Sequence, residues 1–158
     1  MAEWFTKPWR IVPAQAVLYV FLWIAGIHVI VTPFNEEIGF ELAGLHPGTY
    51  YWWNALVLIS PVMVAAAYAL IRHGRGSVRM FGFWLRLGGD LGVLAALTAL
   101  IATRVHVLGD SGPLGDSPLF GLITLTGLNV FVGMLIVRDI GALVVIERLA
   151  GILHESSL

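Results

Sequence analysis

Residues 12–31 read VPAQAVLYVFLWIAGIHVIV, a run of 20 residues that contains no Asp, Glu, Lys or Arg. At a rise of about 1.5 Å per residue, about 20 apolar residues in a helix cross the roughly 30 Å hydrocarbon core of a bilayer. Three comparable apolar stretches follow, at about residues 50–71, 83–107 and 119–137. The sequence therefore predicts an all-α, polytopic integral membrane protein with four transmembrane helices.

The composition of the whole chain supports the same class. Of its 158 residues, 58% are hydrophobic, 12% are charged and none is cysteine. Soluble domains are typically about 45–50% apolar and about 25% charged, so a water-soluble globule and a disordered chain are both excluded. Since no segment between the spans reaches the roughly 40 residues that a domain needs to fold alone, residues 1–158 form a single transmembrane domain.

The basic residues are divided unequally between the two sides of the predicted spans. Only Arg104 falls on the side of the loops that follow the first and third spans. The other eight fall on the side of the two chain ends: Lys7, Arg10, Arg72, Arg75, Arg79, Arg86, Arg138 and Arg148. Because short loops rich in Lys and Arg stay in the cytoplasm, we expect both termini to be cytoplasmic.

The first part of the third span contains two charged residues, Arg86 and Asp90, spaced i, i+4 on one helical face. Ionisable groups inside a membrane are costly and often functional, so a proton or ion relay at Asp90 is one interpretation. The other is a structural ion pair near the inner interface. Arg86 is also long enough to extend its side chain back to the cytoplasmic surface, as we expect of an arginine near a helix end. We favour the structural pair, because the neighbouring arginine already offers Asp90 a partner.

Other polar residues lie within the predicted spans. Asn54 and Asn129, like Gln15 and Tyr19 in the first span, can form hydrogen bonds between helices. His28 lies near the outer end of the first span, and the spacing of the histidines does not resemble a metal or haem ligand set. We therefore expect no metal and no cofactor.

Small residues form a stripe along the third span. Gly88 and Gly92 make a GxxxG step that continues through Ala96 and Ala99, and Gly133 lies on the polar side of the fourth span. Small residues let helix backbones approach closely in a membrane. The stripe predicts tight packing, either within the bundle or between copies of the chain.

Two segments outside the spans leave alternatives open. Residues 138–153 either lie along the inner membrane surface or continue the fourth helix into the cytoplasm. Residues 35–45 (NEEIGFELAGL) form either a short amphipathic helix on the outer surface or an acidic loop.

Motifs that carry known chemistry are missing from the sequence. It contains no P-loop, no G-x-S-x-G, no HExxH and no dinucleotide-binding fingerprint. Its basic residues are also too few for binding nucleic acid. We therefore expect no catalytic residues, no enzymatic activity and no nucleic-acid partner.

Residues 9–23 (WRIVPAQAVLYVFLW), together with the excess of Arg over Lys, resemble the small four-span membrane proteins that bacteriophages of actinobacteria encode in or near the lysis region. The resemblance implies a protein of the bacterial inner (cytoplasmic) membrane, with a holin or a superinfection-exclusion factor as its role. It carries over no functional residue.

Three functional hypotheses follow. The first is a non-enzymatic, self-associating inner-membrane protein, in its sharpest form a holin-like pore former. The second is an accessory or scaffold subunit of a larger membrane complex, or an exclusion protein. The third is a small proton-coupled transporter that uses Asp90. In each, the partners are the lipid bilayer and either a second copy of the chain or another membrane protein.

Overall fold

The structure, a computed structural model, describes residues 13–31, 47–110 and 116–155. These residues form four helices and no strand: α1 (Pro13–Val31), α2 (Pro47–His73), α3 (Ser77–Asp110) and α4 (Asp116–Glu155). Each helix contains a segment long and apolar enough to cross a membrane. The predicted fold class is confirmed, and the protein is a multi-pass membrane protein. The predicted amphipathic helix at residues 35–45 lies outside the described residues.

Three of the four described helices, α2, α3 and α4, are longer than the apolar spans that predict them. The third predicted span begins at about residue 83, whereas α3 begins at Ser77, and α4 runs for 40 residues without a break at Val137. Hydropathy marks where a helix lies in lipid, but backbone hydrogen bonds continue the helix beyond the hydrocarbon. Residues 138–153 therefore belong to one long helix, about 60 Å from end to end.

A tight turn joins α2 to α3. The Gly74 amide donates to the Leu70 carbonyl at 2.7 Å, which closes the last turn of α2. Gly76 has a φ of 54°, a left-handed conformation that glycine adopts without steric cost. The turn makes α2 and α3 an antiparallel hairpin, and this hairpin is the centre of the fold.

Packing places α1 against α2 and α4 against α3. Two hydrogen bonds to backbone oxygens help to fix the helices: Trp53 Nε1 donates to Ala96 O at 3.2 Å, and the Tyr50 hydroxyl to Val29 O at 3.1 Å. The apolar core draws on all four helices and includes Leu18, Leu22, Val57, Val64, Phe83, Val93, Leu97, Val132, Ile136 and Leu143.

The glycine-rich stripe of α3 faces α2 within the same chain. A methyl group at Gly92 would overlap Ser60 Oγ, and one at Gly88 would lie 3.3 Å from Met63 Cε. The closest approach of α3 to the backbone of α2 is at Gly89, where a methyl group would lie 2.9 Å from the Ser60 carbonyl oxygen. Gly88, Gly89 and Gly92 therefore pack against α2 of the same chain.

Apolar side chains lie on the outside of the bundle and polar ones inside it, which is the reverse of the arrangement in a soluble protein. Phe21, Trp52 and Val137 are 67%, 73% and 71% exposed on the outside, whereas Arg86 and Asp90 are 1% and 0% exposed inside. Lipid solvates apolar side chains and offers no hydrogen bonds to polar ones, so polar groups gather in the bundle interior.

Candidate functional site

Three helices bring polar and charged side chains together in the interior of the bundle. Each of these side chains is buried, with at most 9% of its surface exposed. We call them the buried polar cluster: Gln15 and Tyr19 of α1, Arg86 and Asp90 of α3, and Arg138 and Asp139 of α4.

Helical spacing explains how each helix contributes to the cluster. Gln15 and Tyr19, like Arg86 and Asp90, are four residues apart and so share a face of their helix. On α4, Asp139 lies on the packed face, three residues after the core residue Ile136. The three helices therefore present their polar side chains toward a common point.

Neutral donors surround the carboxyl group of Asp90. Gln15 Nε2 donates to Asp90 Oδ1 at 3.1 Å, and the Tyr19 hydroxyl donates to the same oxygen. The second oxygen, Oδ2, is buried and has no hydrogen-bond partner among the described residues. These bonds connect α1 to α3.

Arginines surround the carboxyl group of Asp139. Arg138 contacts Oδ1 through Nε at 2.9 Å and through Nη2 at 2.8 Å. Arg86 Nε lies 2.8 Å from Oδ2 as an ion pair across the α3–α4 interface. Arg86 Nη2 also contacts Gln15 Oε1 at 3.5 Å, so a continuous set of polar contacts runs from α1 to α4.

The formal charges of the cluster cancel when both carboxyl groups are ionised, because two arginines face two aspartates. The carboxyl groups of Asp90 and Asp139 also lie side by side. Burial beside both a carboxylate and a guanidinium makes the cluster sensitive to any change in charge. The chemistry that this arrangement can support is therefore the uptake and release of a proton by a carboxyl group.

The expectation that Arg86 extends to the cytoplasmic surface is wrong. Arg86 is 1% exposed, because Asp139 of α4 and Gln15 of α1 hold its guanidinium inside the bundle. Arg86 and Asp90 do lie on one buried face of α3, as their spacing indicates.

Sequence reasoning missed Asp139 and Arg138 as members of the cluster, because it placed residues 138–153 either on the inner membrane surface or in a continuation of the fourth helix. A signal was present: Val132, Ile136, Asp139 and Leu143 recur at helical spacing, which places Asp139 on the apolar face of α4. The charged pair interrupts an otherwise apolar stripe and so needs a polar partner on a neighbouring helix.

The other predicted polar residues lie apart from the cluster. Asn54 is buried in α2, and its Oδ1 has no hydrogen-bond partner in the described part of the chain. Asn129 of α4 donates from Nδ2 to Thr98 Oγ1 at 3.2 Å. His28 is exposed on α1, about 20 Å along the helix axis from Gln15.

The remaining predicted packing residues are found in different environments. Ala96 is fully buried, and Ala99 is half-buried against the core. Gly133 is half-buried on α4, and no atom lies within 4 Å of a methyl group built on it.

An apolar groove with a volume of about 320 Å³ lies between α1 and α2. Trp23 and Pro61 line it, and Tyr19 contributes to both the groove and the buried polar cluster. Among the described residues, no group of three His, Asp or Glu side chains is arranged to hold a metal ion.

Comparison with known proteins finds no matching family model, no matching curated protein and no matching solved structure.

Proposed function

We propose that the protein is a small proton-coupled carrier of the membrane and that Asp90 is its proton-binding group. The observation that supports this most directly is the difference between the two buried aspartates. Oδ1 of Asp139 accepts from Arg138, and its Oδ2 lies 2.8 Å from Arg86 Nε in an ion pair that lacks hydrogen-bond geometry. Oδ1 of Asp90 accepts from neutral side chains instead, and its Oδ2 has no hydrogen-bond donor in the described residues.

A purely structural ion pair satisfies both oxygens of its carboxylate. An ionised oxygen that is buried without a donor costs several kcal/mol in a medium of low polarity. A proton on Asp90 Oδ2 removes that cost and supplies a donor toward the neighbouring carboxyl group of Asp139. Asp90 is therefore the member of the cluster suited to taking up and releasing a proton.

Proton binding at Asp90 affects the contacts that join α1 and α4 to α3. Asp90 connects α3 to α1 through Tyr19 and Gln15, and Arg86 connects α3 to α4 through Asp139. In the described residues α1 packs chiefly on α2, and α4 on α3, so neither is enclosed on all sides. A change of charge at Asp90 alters the contacts that join α1 and α4 through the hairpin, and this is the coupling that we propose.

We further place the protein in a bacterial cytoplasmic membrane, with both chain ends in the cytoplasm. Arg86 and Arg138 are buried in the cluster and so do not act as loop charges. Of the eight basic residues on the side of the chain ends, six remain after these two are removed, against Arg104 alone on the other side. The positive-inside rule still favours cytoplasmic ends.

Proton uptake into liposomes tests the role of Asp90. The purified protein is reconstituted with a pH-sensitive dye inside, and the outside is acidified under a potassium-diffusion potential. We expect the wild type to acidify the interior faster than empty liposomes and Asp90→Asn to fall to the rate of empty liposomes.

The matched control is Thr103→Val, which removes another buried polar group from α3. The Thr103 hydroxyl donates to Leu100 O of its own helix and takes no part in the cluster, so its loss should leave uptake unchanged. Wild-type uptake by Asp90→Asn, or a wild type no faster than empty liposomes, would contradict the proposal.

A holin-like, self-associating pore former is the second candidate. It is supported by a polar pair, Thr98 and Asn129, that is not enclosed within the bundle. A pore former that accumulates in a bacterial membrane collapses the membrane potential and lets small dyes leave liposomes. A potential that survives heavy accumulation would exclude the pore and leave an accessory role in a membrane complex as the alternative.

A further inference from the structure

We propose that one face of α4, formed by Thr126, Asn129, Gly133 and Val137, binds a second copy of the chain. We call these four residues the α4 face. They recur at spacings of three and four residues, so they lie along one side of the helix. The proposal does not depend on proton binding at Asp90, which lies inside the bundle.

Hydrogen-bonding capacity is left over at this face. The Thr126 hydroxyl donates to Leu122 O at 2.8 Å, so its hydrogen is used within α4 while its exposed oxygen remains an acceptor. Asn129 uses one hydrogen of Nδ2 for Thr98 Oγ1 at 3.2 Å, and the amide nitrogen carries a second. The Thr98 hydroxyl likewise donates within its own helix, to Leu94 O.

These polar groups lie at a depth where lipid cannot satisfy them. The apolar segment of α4 extends from Gly121 to Ile146, and Asn129 lies about 7 Å along the axis from its middle. A polar group that faces hydrocarbon without a partner is unfavourable. Hydrogen bonds between membrane helices typically contribute about 0.6–2 kcal/mol, so a partner helix at this face would be stabilised.

The shape of the face permits close approach. Nothing lies within 4 Å of a methyl group built on Gly133, so the backbone there is open toward a neighbour. Val137, one turn further along, is 71% exposed and offers apolar contact area. An open glycine flanked by a polar pair and a valine is a surface typical of helix association in membranes.

A second copy is the partner that this face fits, because the face carries a donor and an acceptor but no charge. Copies inserted in the same orientation can be related by a two-fold axis perpendicular to the membrane. In such a pair Asn129 of each copy can donate to Thr126 of the other, so every contact is made twice.

Cysteine cross-linking in membranes tests the proposed interface, and the chain contains no natural cysteine to interfere. Gly133→Cys and Val137→Cys place a thiol on the α4 face, near the proposed axis. Met134→Cys and Gly127→Cys are matched controls, because a step of one residue turns a helix by about 100°. We expect oxidation to produce disulfide-linked dimers at positions 133 and 137 and few at 127 and 134.

Two further variants separate a specific contact from collision in a crowded membrane. In the Val137→Cys background, Asn129→Leu should reduce dimer formation, whereas Asn129→Gln, which keeps the amide, should retain most of it. Equal cross-linking at all four positions, no cross-linking at 133 and 137, or cross-links only to a different protein would each overturn the proposal.

Discussion

The chemistry of the buried polar cluster depends on the contrast between two residues of the same type. Asp90 and Asp139 are both buried in the same bundle interior, yet Asp90 accepts from Tyr19 and Gln15, which are neutral. Asp139 instead faces the guanidinium groups of Arg86 and Arg138. Asp139 therefore contacts both arginines directly, whereas Asp90 contacts neutral donors and is the carboxyl group for which we propose proton binding.

This contrast predicts different losses of stability. Asp139→Asn leaves two buried arginines without their shared counter-charge, and removing one partner of a buried pair typically costs about 3–5 kcal/mol. Asp90→Asn keeps an oxygen that can accept from Tyr19 and Gln15, so we expect a loss of about 1–2 kcal/mol. Reversible unfolding in mixed micelles measures both. Equal losses, or a larger loss for Asp90→Asn, would contradict this assignment.

Only part of the cluster could be predicted from the sequence at this scale. Arg86 and Asp90 are visible as a pair because i, i+4 spacing on a helix is a local relation. The contact between Arg86 and Asp139 joins residues 53 positions apart and depends on the register between α3 and α4. No local pattern encodes that register, so the sequence alone does not bring Asp139 to Arg86.

Among the helices, the α2–α3 hairpin shows what a packing motif can and cannot predict. The GxxxG step at Gly88 and Gly92 correctly indicates that α3 packs closely. It does not indicate which side of α3 faces the neighbour, since that depends on the rotation of the helix about its axis. The structure turns Gly89 directly onto Ser60, while Gly88 meets only the flexible end of Met63.

Alanine substitutions along this stripe should therefore differ in effect. A methyl group at Gly89 would lie 2.6 Å from Val64 Cγ2 and 2.9 Å from the backbone oxygen of Ser60, which cannot move aside easily. We expect Gly89→Ala to destabilise the fold by about 1–3 kcal/mol. Gly88→Ala should cost less, because the terminal methyl of Met63 can rotate away.

Gly141→Ala is the control, since nothing lies within 4 Å of a methyl group there. In a helix, alanine is favoured over glycine by about 0.8–1.0 kcal/mol, so this variant should be neutral or more stable. The same unfolding measurement ranks the three variants. A Gly89→Ala protein as stable as the Gly141→Ala protein would show that α2 and α3 are not packed as closely as described.

At the scale of the whole molecule, hydropathy predicts the number of helices well because the bilayer sets a minimum length for each span. It predicts their ends poorly, as α3 and α4 show, because a helix does not stop where the hydrocarbon stops. The orientation of the bundle depends on a different property, the loop charges. The basic residues are concentrated at the end of the bundle that contains the α2–α3 turn, where Arg72, Arg75 and Arg79 are exposed.

The orientation predicts which thiols a membrane-impermeant reagent can reach. Ser77→Cys, at the exposed start of α3, adds a thiol beside the basic turn without removing a charge. Ala43→Cys adds one in the segment between α1 and α2, which contains no Lys or Arg. In intact cells we expect labelling at position 43 only, and in inverted vesicles at position 77 only, because basic loops remain in the cytoplasm. Detergent should make both thiols reactive, which controls for thiols that are merely shielded. Labelling of Ser77→Cys from outside intact cells would show that the orientation is the opposite of the one expected. The buried polar cluster, which lies in the half of the bundle next to the α2–α3 turn, would then be near the outer face.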